Sequence, residues 1–155
     1  MSGAAKSLRA IACELAGEEG LDLRALYAAR LRAIEARNPL STDESLDGGK
    51  RAEEADTWRD LQLAQIEHDR YYHLDVIGLS KADQLRHYAL HLAKLAGAFA
   101  EFANGMIELE DFYSRRLPDT LLFGLKLSTV TGKRLPDSAL ADRSRSADSV
   151  LLRVA

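Results

Sequence analysis

The sequence predicts an all-α helical bundle, and three observations carry that expectation. Between Ser80 and Gly105, Leu85, Tyr88, Leu92, Leu95, Phe99 and Phe102 recur at steps of 3, 4, 3, 4 and 3, a continuous helical stripe. No segment alternates apolar and polar residues well enough to read as a strand, and no repeat is visible. Glycine, proline and capping residues divide the chain at helical lengths.

In order, residues 5–16 and 22–37 read as two helices joined around Gly17 and Gly20, the second placing Leu23, Leu26, Tyr27, Leu31 and Ile34 mostly on one face. Pro39 and the polar stretch 41–50, with Asp47-Gly48-Gly49, read as a linker. A long helix is expected from about Arg51 to Leu74, with Trp58, Leu61, Ala64, His68 and Tyr72 close to one line. Residues 75–79, containing Gly78, make the turn into the helix of the opening stripe. Ser80 with Asp83 is a capping-box-like start for that helix, and Asn104-Gly105 is its stop. A second line of small residues runs beside the stripe at Ala89, Ala96 and Ala103, each seven apart, where another backbone can approach closely. This helix is therefore expected at the centre of the bundle.

Residues 106–117 suggest a shorter acidic segment of one or two helical turns. Pro118 suits a first helical turn, and the helix it opens runs through 119–131 to a stop at Gly132. Residues 125–131 have mild β character, but the spacing of Leu121, Leu122, Leu125 and Leu127 favours helix. Pro136 is a further break before a possible short helix. Residues 142–149 are polar and low in complexity, the composition of a mobile tail, and Val150–Val154 could dock on a partner surface. The organisation expected is an N-terminal helical pair and linker at 1–50, a helical core at 51–140 and a tail at 141–155.

Composition narrows the function classes. One domain is expected at 155 residues, with 46% hydrophobic and 29% charged residues. Twenty-four acids against 21 bases argue against nucleic acid as the main partner. Cys13 stands alone, which fits a reducing cytoplasm. The N-terminus lacks a signal-peptide apolar core, and no run approaches the roughly 18 apolar residues that cross a bilayer. A cytoplasmic, membrane-free protein is the expectation.

Three segments carry a family pattern. Leu61-Gln62 with its long helix and the turn before Gln84-Leu85, the stretch Leu92-Ala-Lys-Leu-Ala-Gly-Ala-Phe-Ala-Glu101, and Leu117-Pro-Asp-Thr-Leu-Leu-Phe-Gly-Leu-Lys-Leu127 with Gly132 and Leu135-Pro136 follow one another at suitable gaps. Together they resemble the MazG-like all-α nucleotide pyrophosphohydrolases. The resemblance implies a four-helix core, a dimer or tetramer, and Mg²⁺-dependent cleavage of nucleoside triphosphates. It places L-A-E-E-x-G-E-L-x-E on 92–101 and E-x-x-D on 116–119. Here Lys94, Leu95 and Ala98 stand where three acids belong, and Arg116 where a fourth does; Asp119 remains, with Glu101 matching an outer acid. Mg²⁺ takes hard oxygen ligands, and one carboxylate beside two cations cannot hold a pair of such ions. The family's catalysis is therefore expected to be lost or rebuilt.

Two groups of residues could supply other chemistry. His68, His73, His87 and His91 are the chain's four histidines and lie across one expected helical hairpin. His68, Asp69, His87, His91, Glu101 and Asp119 are the candidate metal ligands, for Zn²⁺, Mn²⁺ or Fe²⁺, since an i, i+4 histidine pair projects on one helix side. The competing reading makes them boundary histidines bonded to nearby tyrosines and acids. An upstream histidine for the H…HD…D phosphohydrolase pattern is missing before His68. Lys94, Arg116 and Lys126 are the candidate phosphate contacts, although such residues also serve as a solvated face or as helix-end charges.

Three functions follow from different classes. The first is a MazG-like protein, catalytically degenerate, that retains a binding, regulatory or assembly role and could still take a nucleotide or phosphate. The second is a hydrolase that uses a divalent metal on the histidines. The third is a structural helical dimer without ligand. A homodimer is expected, because four or five helices have difficulty covering both stripes of the 80–105 helix.

Overall fold

The computed structural model describes residues 2–40 and 47–140. These form α1 (Ser2–Glu18), α2 (Leu23–Arg37), α3 (Gly48–Glu53), α4 (Trp58–Tyr72), α5 (Leu74–Ile77), α6 (Lys81–Ala103), α7 (Leu109–Asp111) and α8 (Leu117–Val130). Among the described residues there is no strand, only an isolated bridge between Thr57 and Ala139. The all-α bundle expected from the sequence is the architecture found. Most of the expected linker, at 41–46, and all of the tail, including 142–149 and Val150–Val154, lie outside the described residues.

Local chemistry sets the boundaries. Asp22 caps α2 through Ala25 N, Ser80 caps α6 through Asp83 N, and α6 ends at Asn104 followed by Gly105 at φ 68°. The expected 51–74 helix is in fact two. Asp47 caps a short α3, the chain breaks at residues 54–57, and a Thr57–Asp60 capping box starts α4. Residues 47–50 are therefore helix N-terminus rather than linker. The turn at 75–79 likewise contains the short α5.

The centre of the bundle is α8, not α6. Every residue from Leu117 to Ser128 except Asp119 is buried, which is the pattern of a helix that is apolar all round. α1 lies along it, with Ala5, Ala12 and Ala16 buried, and approaches closely at Gly124, where a Cβ would sit 2.9 Å from Arg9 Cγ and 3.4 Å from Ala5 O. α2, α4 and α6 also pack on α8. α6 buries only Tyr88, Leu95 and Ala98, and Leu92 and Phe99, on the stripe of the helix expected at the centre, are half-buried. The cause is geometric: α6 leans on α8 and the turn before it along one edge, and its line of alanines faces outward. Aromatic contacts fix that edge, Phe102 stacking on Phe112 at 3.8 Å and His91 on Phe123 at 4.8 Å.

Residues 112–116 form a π-helical turn between α7 and α8. Pro118 lacks an N–H and its ring needs room beside the carbonyl four residues back, and the wider turn supplies that room without ending the helix. Beyond α8, Gly132 at φ 73° turns the chain back. Among the described residues no helix follows Pro136; residues 135–140 instead run along the start of α4. Trp58 N donates to Ser138 O and Arg59 N to Pro136 O, which satisfies donors that a helix start leaves open. Gln62, buried, accepts from Leu135 N at 2.9 Å and donates to Lys133 O at 2.8 Å, clamping this exit.

Leu125 is fully buried on α8, so Leu125→Ala is expected to cost about 2–5 kcal/mol. Phe99→Ala, on half-buried α6, should cost less. Chemical denaturation of both checks the order, and equal losses would put α6 back at the centre.

Candidate functional site

The polar residues that the core cannot avoid meet where α2, α4, α6 and α8 face one another. Lys126 is the single charge in the run Leu121–Leu127, and α8 carries it inside. Its Nζ lies 2.8 Å from Asp69 Oδ1 on α4, both side chains being under 10% exposed. It also sits 6.0 Å from the Tyr88 ring centre and 5.9 Å from that of Phe123, so the ammonium gains aromatic faces as well as a carboxylate. The same Asp69 oxygen accepts from Gln65 Nε2 at 2.8 Å, and Gln65 Oε1 accepts from the buried Tyr27 hydroxyl at 2.7 Å.

His68, one turn from Gln65, is fully buried and stacks on Tyr72 at 4.7 Å. Its Nδ1 is 3.0 Å from Glu35 Oε1, and the same oxygen accepts from Gly48 N at 3.0 Å. Glycine is required at 48 because a Cβ there would lie 2.5 Å from that carboxylate oxygen and 3.2 Å from His68 Nδ1. Burial holds His68 down at about 4, against the pull of Asp69, and holds His73 down at about 4 with the Lys126 ammonium adding to it. The His68–Glu35 contact is therefore a hydrogen bond from a neutral ring, with Nδ1–H donating, rather than an ion pair. That tautomer leaves Nε2 as a lone pair, and Nε2 is buried without a hydrogen-bond partner. Burial pushes the Glu35 carboxyl up, and burial with Asp69 pushes Tyr88 up to about 12. Burial, His87, Lys94 and Lys126 lower His91, with Asp119 opposing them.

The candidate ligands separate into different environments. His68 and Asp69 are locked in the interior, whereas His87 and His91 are half-buried on α6 with ring centres 4.7 Å apart. Glu101 is exposed on α6. Asp119 is held by Arg30, whose Nε and Nη2 donate to its two oxygens at 2.6 and 3.1 Å. Among the described residues no three His, Cys, Asp or Glu side chains are grouped so as to hold a metal ion. The three candidate phosphate contacts part in the same way. Lys94 is exposed, Arg116 Nε lies 3.5 Å from Asp111, and Lys126 is committed to Asp69.

A shallow cleft of about 260 Å³ opens elsewhere, lined by Lys6, Arg9, Cys13, Trp58, Leu135 and Pro136 among others. Its main cation is already engaged, since Arg9 lies 6.0 Å over the Trp58 ring and donates to Ser128 and Ala5 O. Sequence reasoning missed Tyr27, Glu35 and Gln65 as members of the buried network. A lysine amid leucines was the available signal, because a buried ammonium demands a carboxylate. Comparisons with protein-family models, with curated proteins and with solved structures find no match to this chain.

Two outcomes follow. Unfolded histidine titrates near 6.5 and His68 and His73 near 4 when folded, so between these values the unfolded chain binds more protons. Stability should therefore fall as pH drops through that window, by about 1.4 kcal/mol per pH unit for each such histidine, with Glu35 acting in the opposite sense. Urea titrations at several pH values should show a shallower slope in His68→Gln; an unchanged slope would mean that His68 is not the buried neutral group. Asp69→Ala should cost about 3–5 kcal/mol by stranding the ammonium, and Asp69→Leu with Lys126→Met should recover most of it. Equal losses in the single and double variants would show that the pair does not act as a unit.

Proposed function

We propose that this chain is a MazG-like helical protein without the family's Mg²⁺ chemistry, and that its role is assembly, with α6 as the associating element. The observation that carries this reading is the outer face of α6. Over a helix of 23 residues, Ala82, Ala89, Ala93, Ala96, Ala100 and Ala103 are all exposed and lie along one line, with Leu90 66% exposed beside them. A helix that leans on its own bundle by one edge and is smooth on the other is shaped to receive a second helix. No helix among the described residues is long and apolar enough to cross a membrane, so a lipid span is not what this face serves.

The motif positions support the loss of catalysis. The one acid kept from the E-x-x-D pair is already neutralised by Arg30, and the residues at the other acid positions are a cation, a buried alanine, a buried leucine and an arginine turned to Asp111. A single carboxylate bonded to a guanidinium cannot offer the oxygen cluster that positions a metal–triphosphate complex. The lone Cys13 is compatible with work in the cytoplasm.

Light scattering at tens of micromolar is expected to give a homodimer, and Ala96→Glu, which puts a charge into the alanine line, should shift it to monomer while helicity by circular dichroism is retained. A wild-type monomer would overturn the reading. No pyrophosphate release from nucleoside triphosphates with Mg²⁺ is expected. Release that disappears in Asp119→Ala would restore the catalytic reading. Release that needs Mn²⁺ or Zn²⁺ and vanishes in His87→Ala would instead favour the histidine site.

A further inference from the structure

The cleft between α1, the start of α4 and the chain beyond α8 stands apart from the buried polar network and has a lining of one consistent chemistry. α1 contributes Lys6, Arg9 and Ala10, α4 its first residue, Trp58, and the returning chain Pro136 and Ser138. No acid is among the lining residues, although the chain as a whole carries a formal charge of −3. Lys6 is exposed and enters no ion pair among the described residues.

Arg9 is anchored without being used up. Its Nη1 makes both of its hydrogen bonds, to Ser128 Oγ at 2.5 Å and to Ala5 O at 3.2 Å. Ser128 is fully buried and itself donates to Gly124 O at 2.8 Å, so the guanidinium is fixed from the α8 side. Nε and Nη2 donate to no group among the described residues, and neither is sealed from solvent. These two nitrogens form the side-on fork of an arginine, spaced for the two oxygens of a carboxylate. Arg30 uses the same edge on Asp119, with Nε and Nη2 donating to its two oxygens at 2.6 and 3.1 Å. On Arg9 no side chain of the described residues takes that edge.

We propose that this cleft binds a small organic acid, a carboxylate carried on one apolar ring. The carboxylate takes the Arg9 fork, with the Lys6 ammonium adding charge, and the ring takes the apolar walls that Trp58, Ala10 and Pro136 supply. Volume sets the size. The cleft holds about 260 Å³, more than the roughly 150 Å³ that admits benzene and less than the roughly 300–1,000 Å³ of sites for drug-sized ligands, which leaves room for a single substituted ring. The walls are already tied together. Trp58 N donates to Ser138 O at 3.3 Å, Arg59 N to Pro136 O at 3.1 Å and Leu135 N to Gln62 Oε1 at 2.9 Å, so little ordering opposes the ligand. This inference goes beyond the assembly reading and does not rest on it.

Trp58 is the only tryptophan of the chain, so its emission reports on this cleft. Benzoate is the probe, with benzamide as its uncharged isostere and acetate as the anion without a ring. Benzoate is expected to change the emission saturably with a Kd on the order of 1 mM, and the two controls to bind at least about ten-fold more weakly. Benzamide as good as benzoate would overturn the role of the carboxylate, acetate as good would overturn that of the ring, and no saturable response to benzoate would overturn the site. Ala10→Leu fills the cleft from an exposed helix position and should abolish binding. Lys6→Gln should weaken it about three-fold and Arg9→Gln at least about ten-fold. Circular dichroism checks that each variant folds; should Arg9→Gln fail there, the other two variants decide. Benzoate binding unchanged in Ala10→Leu would overturn the location. Benzoate binding by a monomeric wild-type protein would overturn the assembly reading and leave this one standing.

Discussion

A helix of 14 residues, buried on nearly every side, cannot carry an ammonium unless the rest of the fold supplies its counter-charge. Lys126 imposes that condition here, and Asp69 meets it at 2.8 Å. The demand fixes more than one contact. Asp69 has to face inward from α4, which sets the rotation of that helix and brings Gln65 and His68 inside with it, since residues three or four apart share a helix face. Gln65 then needs the Tyr27 hydroxyl, and His68 needs Glu35, so α2 is held to α4 by polar partners as well as by packing. Ionic pairs of this kind rarely add net stability over apolar residues of the same shape, but breaking one partner is costly. Their effect in this core is to exclude rotations of α4 and α8 that an all-leucine interior would tolerate.

The helical character of the chain was legible from its spacing, and so were the ends governed by capping chemistry, at Ser80, at Asn104-Gly105 and at Gly132. Two features were not. The continuous reading of 51–74 failed because the apolar period runs through the break at 54–57, while the Thr57–Asp60 capping box, a local signal, marked the true start of α4. The centre of the bundle was placed on α6 because its stripe is long and regular. Regularity, however, measures amphipathicity, and an amphipathic helix belongs at the boundary. The helix that lacks a polar side, α8, is the one the others wrap.

The candidate site was legible in composition and not in grouping. Four histidines across one hairpin suggested a single cluster, yet helix rotation divides them, with His68 sealed against Glu35 and Tyr72 and the His87–His91 pair at the rim. Sequence spacing constrains position along a helix, whereas the direction each side chain takes depends on the neighbours that must be satisfied. Lys126, read as a phosphate contact from its place near other bases, turned inward for that reason. Asp119, read as a metal ligand, was likewise claimed by an arginine from α2, an element distant from it in sequence.

The π-helical turn at 112–116 has a consequence for how this chain is compared with others. Such a turn amounts to one extra residue inserted without opening the helix, and it rotates everything before it by about a quarter of a circle relative to everything after. Arg116 ends the turn in α-helical conformation, φ −75° and ψ −41°, and so keeps its helical phase with Asp119, whereas the acidic residues 108–111 before the turn are rotated relative to both. A sequence alignment, which counts letters and not rotation, conceals the offset across the turn. Ancestry with an uninterrupted helix would therefore leave its trace as a single-residue gap between Phe112 and Leu117.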